Sequence, residues 1–299
     1  MIISASRRTD IPAYYADWFC NRIKAGYVLV RNPMNFRQVS RITLSAEEID
    51  AIVFWTKNPQ PLIERLGELS QYMYYFQFTL TPYGRDIEPN LPQKPQVLQT
   101  FKRLAEEIGP ERVLWRYDPI LLNEKYSQEY HIHAFGKIAE ELRNHTKKVT
   151  ISFIDANYRG VKSNIKTLAL QDFPQENKLK LSAQLAKIAH ENKLEISACA
   201  EEMDLQPLGI TRARCIDDRL LSKLLNQQMP TNKDKNQRQE CGCITAADIG
   251  AYNTCRTNCR YCYANYNSSA IDGNINNPES PLLIGDINED DKISERRKR

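Results

Sequence analysis

Histidine is scarce in this 299-residue chain: there are four (His131, His133, His145 and His190) and none follows the last. A metal site near the C-terminus must therefore rest on sulfur, because the commonest neutral metal ligand is missing there. Long apolar runs are also missing. No stretch reaches the ~20 residues that span a bilayer. The opening MIISASRRTDIP has no basic region ahead of a long apolar core, so it reads as neither a signal nor a transit peptide. These absences point to a cytoplasmic protein with no membrane partner. Net charge is low as well: a formal +4 and a pI near 8.5 permit nucleic acid as a partner without requiring it. No internal repeat is visible.

Cysteine, by contrast, is plentiful, with eight residues. A reducing compartment and a chain long enough for a large core make a disulfide framework a poor use for them. Metal or redox chemistry is the better one. Cys20 is the exception, because it sits on the apolar face of the helical pattern ADWFCNRI and reads as core.

Short β-rich runs recur at residues 2–6, 27–31, 50–55, 74–80, 112–116, 148–153 and 194–199. Helical patterns at 93–108, 127–144 and 174–192 return apolar residues every three to four positions. The segment around 32–45 reads as a hairpin. Apolar strands separated by helices imply parallel pairing with right-handed crossovers. About seven such units favour an α/β fold of the TIM-like (β/α) barrel type, complete or short of closure. The expected division is a barrel domain over 1–227, a cysteine-rich loop capping it over 228–265, and a polar, partly disordered tail over 266–299.

Ligands of parallel sheets gather at the carboxyl ends of the strands. Those ends carry Arg7, Arg8 and Asp10, then Thr56 and Lys57, Thr79 and Thr81, Arg116 and Asp118, and further on Asp155, Glu201 and Glu202. With Glu88, the residues Thr56, Lys57, Thr79, Thr81, Arg116 and Asp118 are the candidates for lining a reaction chamber. Rim salt bridges are an equally good use for Lys57, Glu88, Arg116 and Asp118.

The segment C-RTN-C-RY-C spaces Cys255, Cys259 and Cys262 so that three thiolates can converge on one cluster. Three ligands leave one iron of a [4Fe-4S] cluster open, and an open iron can bind and reduce a small molecule. Zinc, wanting four closed ligands, is the alternative and would have to recruit Cys241 or Cys243. Cys199, Cys215, Cys241 and Cys243 are four further thiols that could close a second iron–sulfur cluster. The plain alternative is that the first two are small buried hydrophobes and the other two an unrelated turn.

The Cys255–Cys259–Cys262 spacing, with Tyr261 before the last cysteine, resembles the signature loop of radical S-adenosylmethionine (radical SAM) enzymes. IVFWTKNP (52–59), FQFTLTPYGRDIEPNLP (76–92) and RVLWRYDPI (112–120) resemble successive strands of the spore photoproduct lyase and DNA repair photolyase-like branch. Nearly the whole chain is similar to an uncharacterised bacterial domain-of-unknown-function family ending in NQR, CGC, DIGAYNTC and CxYCYAN. The resemblance implies a radical SAM barrel whose open iron chelates S-adenosylmethionine and splits it reductively to a 5′-deoxyadenosyl radical, acting on an unknown substrate. It implies an electron donor such as ferredoxin or flavodoxin, and a place for Tyr261 and the strand-end residues around the cofactor. Two departures stand out: the cysteine loop follows the strands instead of the first one, and there is no Gly-Gly-Glu segment to clamp the methionine amino group. The rival reading is a non-catalytic iron–sulfur or zinc protein whose cysteine-rich segment binds nucleic acid or a protein partner.

Overall fold

The computed structural model describes residues 1–267, 273 and 276–296. The fold is mixed α/β. Its strands are β1 (Ile2–Ala5), β2 (Tyr27–Asn32), β3 (Asn35–Thr43), β4 (Ala51–Thr56), β5 (Tyr74–Thr79), β6 (Val113–Ile120), β7 (Lys148–Phe153), β8 (Glu195–Ala198), β9 (Thr211–Arg212), β10 (Ala247–Asp248) and β11 (Lys292–Glu295). Eight of them form one mostly parallel sheet in the order β10-β1-β4-β5-β6-β7-β8-β9. Among the described residues no pairing joins β9 to β10.

By compactness the chain divides into two units. The first holds residues 1–75, 246–258 and 264–299, and the second 76–245 and 259–263. In the first unit, β1 pairs in parallel with both β4 and β10. Asp248 on β10 ties this end together, its carboxylate accepting from Ser4 Oγ (2.9 Å), Ser6 Oγ (2.7 Å), Arg7 N (2.9 Å) and Gly250 N (3.0 Å). Glycine is required at 250 because a Cβ there would stand 2.1 Å from Ser6 Oγ.

The run at 27–31 does become a strand, but not one of the parallel set. Only Pro33 and Met34 separate β2 from β3, and a link that short can join only antiparallel neighbours. The two form the hairpin expected around 32–45, and β11 adds to β3 in parallel. Part of the tail at 266–299 is thus a strand. Residues 268–272, 274–275 and 297–299 of that tail lie outside the described residues.

In the second unit, β5 to β9 pair in parallel in chain order from β5 onward. Long helices pack the crossovers. Pro95 opens the helix Lys94–Ile108, where its fixed φ is already helical, and the helix ends at Gly109 with φ 92°. It buries Val97, Phe101, Leu104, Ala105 and Ile108, the three-and-four spacing that aims one stripe at the sheet. Ser127 caps Gln128–Leu142 by accepting from Tyr130 N. That helix buries Phe135, whose ring stacks on Trp115 of β6 with centroids 4.8 Å apart. Burying such rings contributes roughly 1.5–3 kcal/mol each. The patterns at 93–108, 127–144 and 174–192 correspond to the helices Lys94–Ile108, Gln128–Leu142 and Gln175–Glu191. No helix of the described residues is long and apolar enough to cross a membrane.

Candidate functional site

The second half of the cysteine motif folds within the second unit. Cys262 N donates to Cys259 O at 3.1 Å, so the two cysteines bracket one tight turn. Arg260 N donates to Ile87 O at 2.9 Å, which lays this turn on the loop after β5. Its underside is dry: Cys259 and Tyr261 pack in one cluster with Tyr83, Ile87, Leu121, Tyr126, Val161 and Leu168, and Cys262 packs against it. Tyr83 meets Tyr261 edge on, with centroids 5.9 Å apart.

Glu88, 1% exposed, fixes the turn from below. Thr81 Oγ1 donates to its Oε1 at 2.7 Å, the Tyr261 hydroxyl donates to the same oxygen, and Lys94 Nζ pairs with Oε2. A carboxylate at this depth needs such donors to remain charged. Burial, followed by the anionic character of Cys259 and Glu88, pushes the Tyr261 phenol well above its ordinary value, so it stays a donor. Three of the sequence candidates, Thr81, Glu88 and Tyr261, thus meet at one point. Lys94 completes them and was not singled out, because it reads as an ordinary first-turn helix lysine.

Arg116 and Asp118 also meet. Arg116, buried, directs Nε and Nη2 at Asp118 Oδ2 and Nη1 at Cys215 Sγ, 2.7 Å away. Burial opposes its charge, but Cys215 and Asp118 beside it outweigh burial and hold the guanidinium charged. Ser152 donates to the other Asp118 oxygen. Thr79 is in register with Arg116 across the β5–β6 ladder.

Cys255 belongs to the first unit. Its carbonyl accepts from Asn265 Nδ2 at 2.6 Å, while the preceding carbonyl, that of Thr254, accepts from Tyr15 OH at 2.6 Å. Thr56 and Lys57 are in this unit too, beside the buried Asp10. Lys57 N donates to Asp10 Oδ2 at 2.7 Å, Ala13 N to Oδ1 at 3.1 Å, and Thr56 Oγ1 accepts from Asn58 N at 3.1 Å. Burial raises the Asp10 carboxyl to about 6 despite the hydrogen bonds from Lys57, Thr56 and Ala13, which lower it. None of the eight cysteines is in a disulfide. Among the described residues no group of three or more His, Cys, Asp or Glu side chains is arranged to hold a metal ion.

Two expectations follow. Tyr261→Phe should cost about 1.5–3 kcal/mol in urea denaturation, the range for a hydrogen bond to a charged group, and should speed amide exchange at Arg260 and Cys262. Unchanged exchange would show that the turn does not depend on Glu88. Asp10, with its folded value raised from 3.8 to about 6, binds its proton more tightly folded than unfolded. Stability is therefore fully present below about pH 4 and falls as pH rises to about 6, by an amount on the order of 3 kcal/mol. Carboxyl carbon shifts followed by NMR titration check the value, and a midpoint near 4 would contradict it.

No curated protein matches the chain. A family model described as "Domain of unknown function (DUF1848)" matches residues 2–264, which takes in strands β1 to β10, both halves of the cysteine motif, and the Thr81–Glu88–Tyr261 contact. With nearly its whole length covered, the chain belongs to the DUF1848 family.

Proposed function

We propose that the chain is an iron–sulfur enzyme of the class that cleaves S-adenosylmethionine reductively, with Cys255, Cys259 and Cys262 holding a [4Fe-4S] cluster. The observation that carries this reading is the three-cysteine spacing, which leaves one iron without a protein ligand. The setting of the second half fits such a group: Cys259 and Cys262 share a turn on an apolar wall of Tyr83, Ile87, Leu121 and Val161, and a shielded wall limits water and oxidant access. When bound, the cluster supplies an electron to an S-adenosylmethionine chelated at its open iron.

The chain's own residues would then hold and orient. Glu88 sets the turn through Tyr261. Arg116, within β6, and Asp118, nearer its carboxyl end, offer a paired cation and anion, and parallel sheets bind ligands at such ends. Thr56 closing β4 with Lys57 just after it, and Thr79 closing β5 with Thr81 just after it, add hydroxyl and amine donors at the same kind of strand end. In this reading the parallel sheet, whose edge strands β9 and β10 do not pair among the described residues, is an unclosed relative of the radical SAM (β/α) barrel; the resemblance to the photolyase-like branch supports that kinship, and a donor such as ferredoxin or flavodoxin would supply the electron.

Anaerobic reconstitution with iron and sulfide tests the reading. The parent protein should gain visible absorbance and a reduced-state paramagnetic resonance signal that changes when S-adenosylmethionine is added, with 5′-deoxyadenosine formed. Cys259→Ser should lose the signal and the product. A cluster indifferent to S-adenosylmethionine, or an iron content unchanged by Cys259→Ser, would sink it.

A second reading, binding of nucleic acid by the cysteine-rich segment, is favoured by one observation. An open cleft of about 600 Å³ beside Cys241 is lined by Arg212, Arg214, Arg219 and Lys233 together with Gln206, Gln239 and Glu240. If about two phosphates are contacted there, affinity for a single-stranded oligonucleotide should fall about sevenfold for a fourfold rise in salt. Salt-independent binding, or none, removes this reading.

A further inference from the structure

Four thiols that the cluster loop does not use lie together in the second unit. Cys199 follows β8, its N–H held by Ile151 O at 2.8 Å, and its sulfur stands 3.5 Å from that of Cys215. Cys215 is hydrogen-bonded in turn to Cys243, and Cys243 to Cys241. Cys215, Cys241 and Cys243 are buried.

The backbone is built to bring them there. Asp234 N donates to Cys243 O at 2.9 Å, and Ile244 N to Ile216 O at 3.2 Å. Ile216 N points at Cys243 Sγ, 3.4 Å away. Between the two cysteines, Gly242 lies so close to Ala213 and Arg214 that a Cβ would come within 3.1 Å of Ala213 O and 2.9 Å of Arg214 Cγ. A side chain at 242 would need the Arg214 side chain and the Ala213 carbonyl to give way. Buried N–H···S contacts and a glycine that permits close approach are features of thiolate sites, whereas four cysteines serving only as small hydrophobes need neither.

Charge points the same way. Four thiolates around a divalent ion carry a net negative charge that must be offset in a buried place. Arg116 is buried, charged and directed by Nη1 at Cys215 Sγ, and Gln77 Nε2 closes the same corner by donating to Cys215 O at 2.7 Å.

From these observations we infer that Cys199, Cys215, Cys241 and Cys243 bind one thiophilic metal ion as a tetrathiolate site, zinc or a single iron, with Arg116 balancing its charge. The spacing selects a single ion. Tetrahedral zinc–thiolate bonds of about 2.3 Å place neighbouring sulfurs about 3.8 Å apart, close to the 3.5 Å between Cys199 and Cys215. The terminal thiolates of a four-iron cluster bind four different irons and stand farther apart than one tetrahedral edge. The sulfurs run in a row from Cys199 to Cys241 and do not yet enclose a centre. As they stand they form no metal-holding group, so binding would require the end cysteines to turn toward a common centre, with the thiol protons passing to solvent as the metal binds.

The test removes the loop cysteines first, so that its failure is separate from failure of the iron–sulfur reading. The variant Cys255→Ser/Cys259→Ser/Cys262→Ser, purified with zinc or with ferrous iron, should retain about one metal per chain by mass spectrometry. Adding Cys215→Ser and Cys243→Ser should lower this at least about tenfold, and cobalt in place of zinc should show the intense bands of a tetrahedral thiolate site. Parent protein gives a readout that does not depend on the variants folding. Alkylation of Cys199, Cys215, Cys241 and Cys243 should be slowed by zinc and restored by a chelator, with Cys20 unchanged. A metal-free triple variant, about four irons with sulfide, zinc-independent alkylation, or a Cys199–Cys215 disulfide in protein kept with zinc would each overturn the site.

Discussion

A carboxylate shut away from water has to be surrounded by donors or it takes up a proton, and everything attached to those donors is then fixed with it. Glu88 is in that position. One of its oxygens takes the hydroxyls of Thr81 and Tyr261 and the other pairs with Lys94. A strand end, a helix start and the turn between Cys259 and Cys262 are thereby referred to one point. If the carboxylate moves, the loop after β5, the first turn of the helix Lys94–Ile108 and the cysteine turn lose their common reference. Position, more than raw stability, is what this contact supplies, since three separate segments are held against one carboxylate.

Much of the scaffold was legible in the residues. Apolar runs at period-independent density, as in YYFQFTL and RVLWR, mark strands buried on both faces, and Leu and Ala at three-and-four spacing mark the covering helices. The pairing of β2 was not legible from its own sequence, because YVLVR looks like any central strand. What decides its partner is the two-residue link that follows, which turns the chain back into β3. The two-residue strands β9 and β10 escape pattern reading altogether, being shorter than one period of any signal.

The site was legible as a set of residue types but not as a set of contacts. Thr81, Glu88 and Tyr261 were each singled out as polar residues near strand ends or the cysteine loop, yet nothing in their spacing says that one carboxylate joins all three. Arg116 offers the same lesson from the other side. Its pairing with Asp118 follows from two residues on one strand, whereas its approach to Cys215 bridges 99 positions of sequence and is set by the parallel order of β6, β7 and β8.

The first unit is assembled from pieces at both ends of the chain, and this has a consequence for synthesis on the ribosome. Residues 76–245, the larger part of the second unit, are contiguous, and only the turn 259–263 joins them later. Strand β1 is made before β4 and long before β10, so it pairs with β4 early but must wait for Ala247 and Asp248 before its other edge is covered. Until then Ser4, Ser6 and the Arg7 amide lack the Asp248 carboxylate that receives them. While residues 57–246 are being made, β1 therefore has one bare edge, an interval in which unpaired strands attract chaperones or one another.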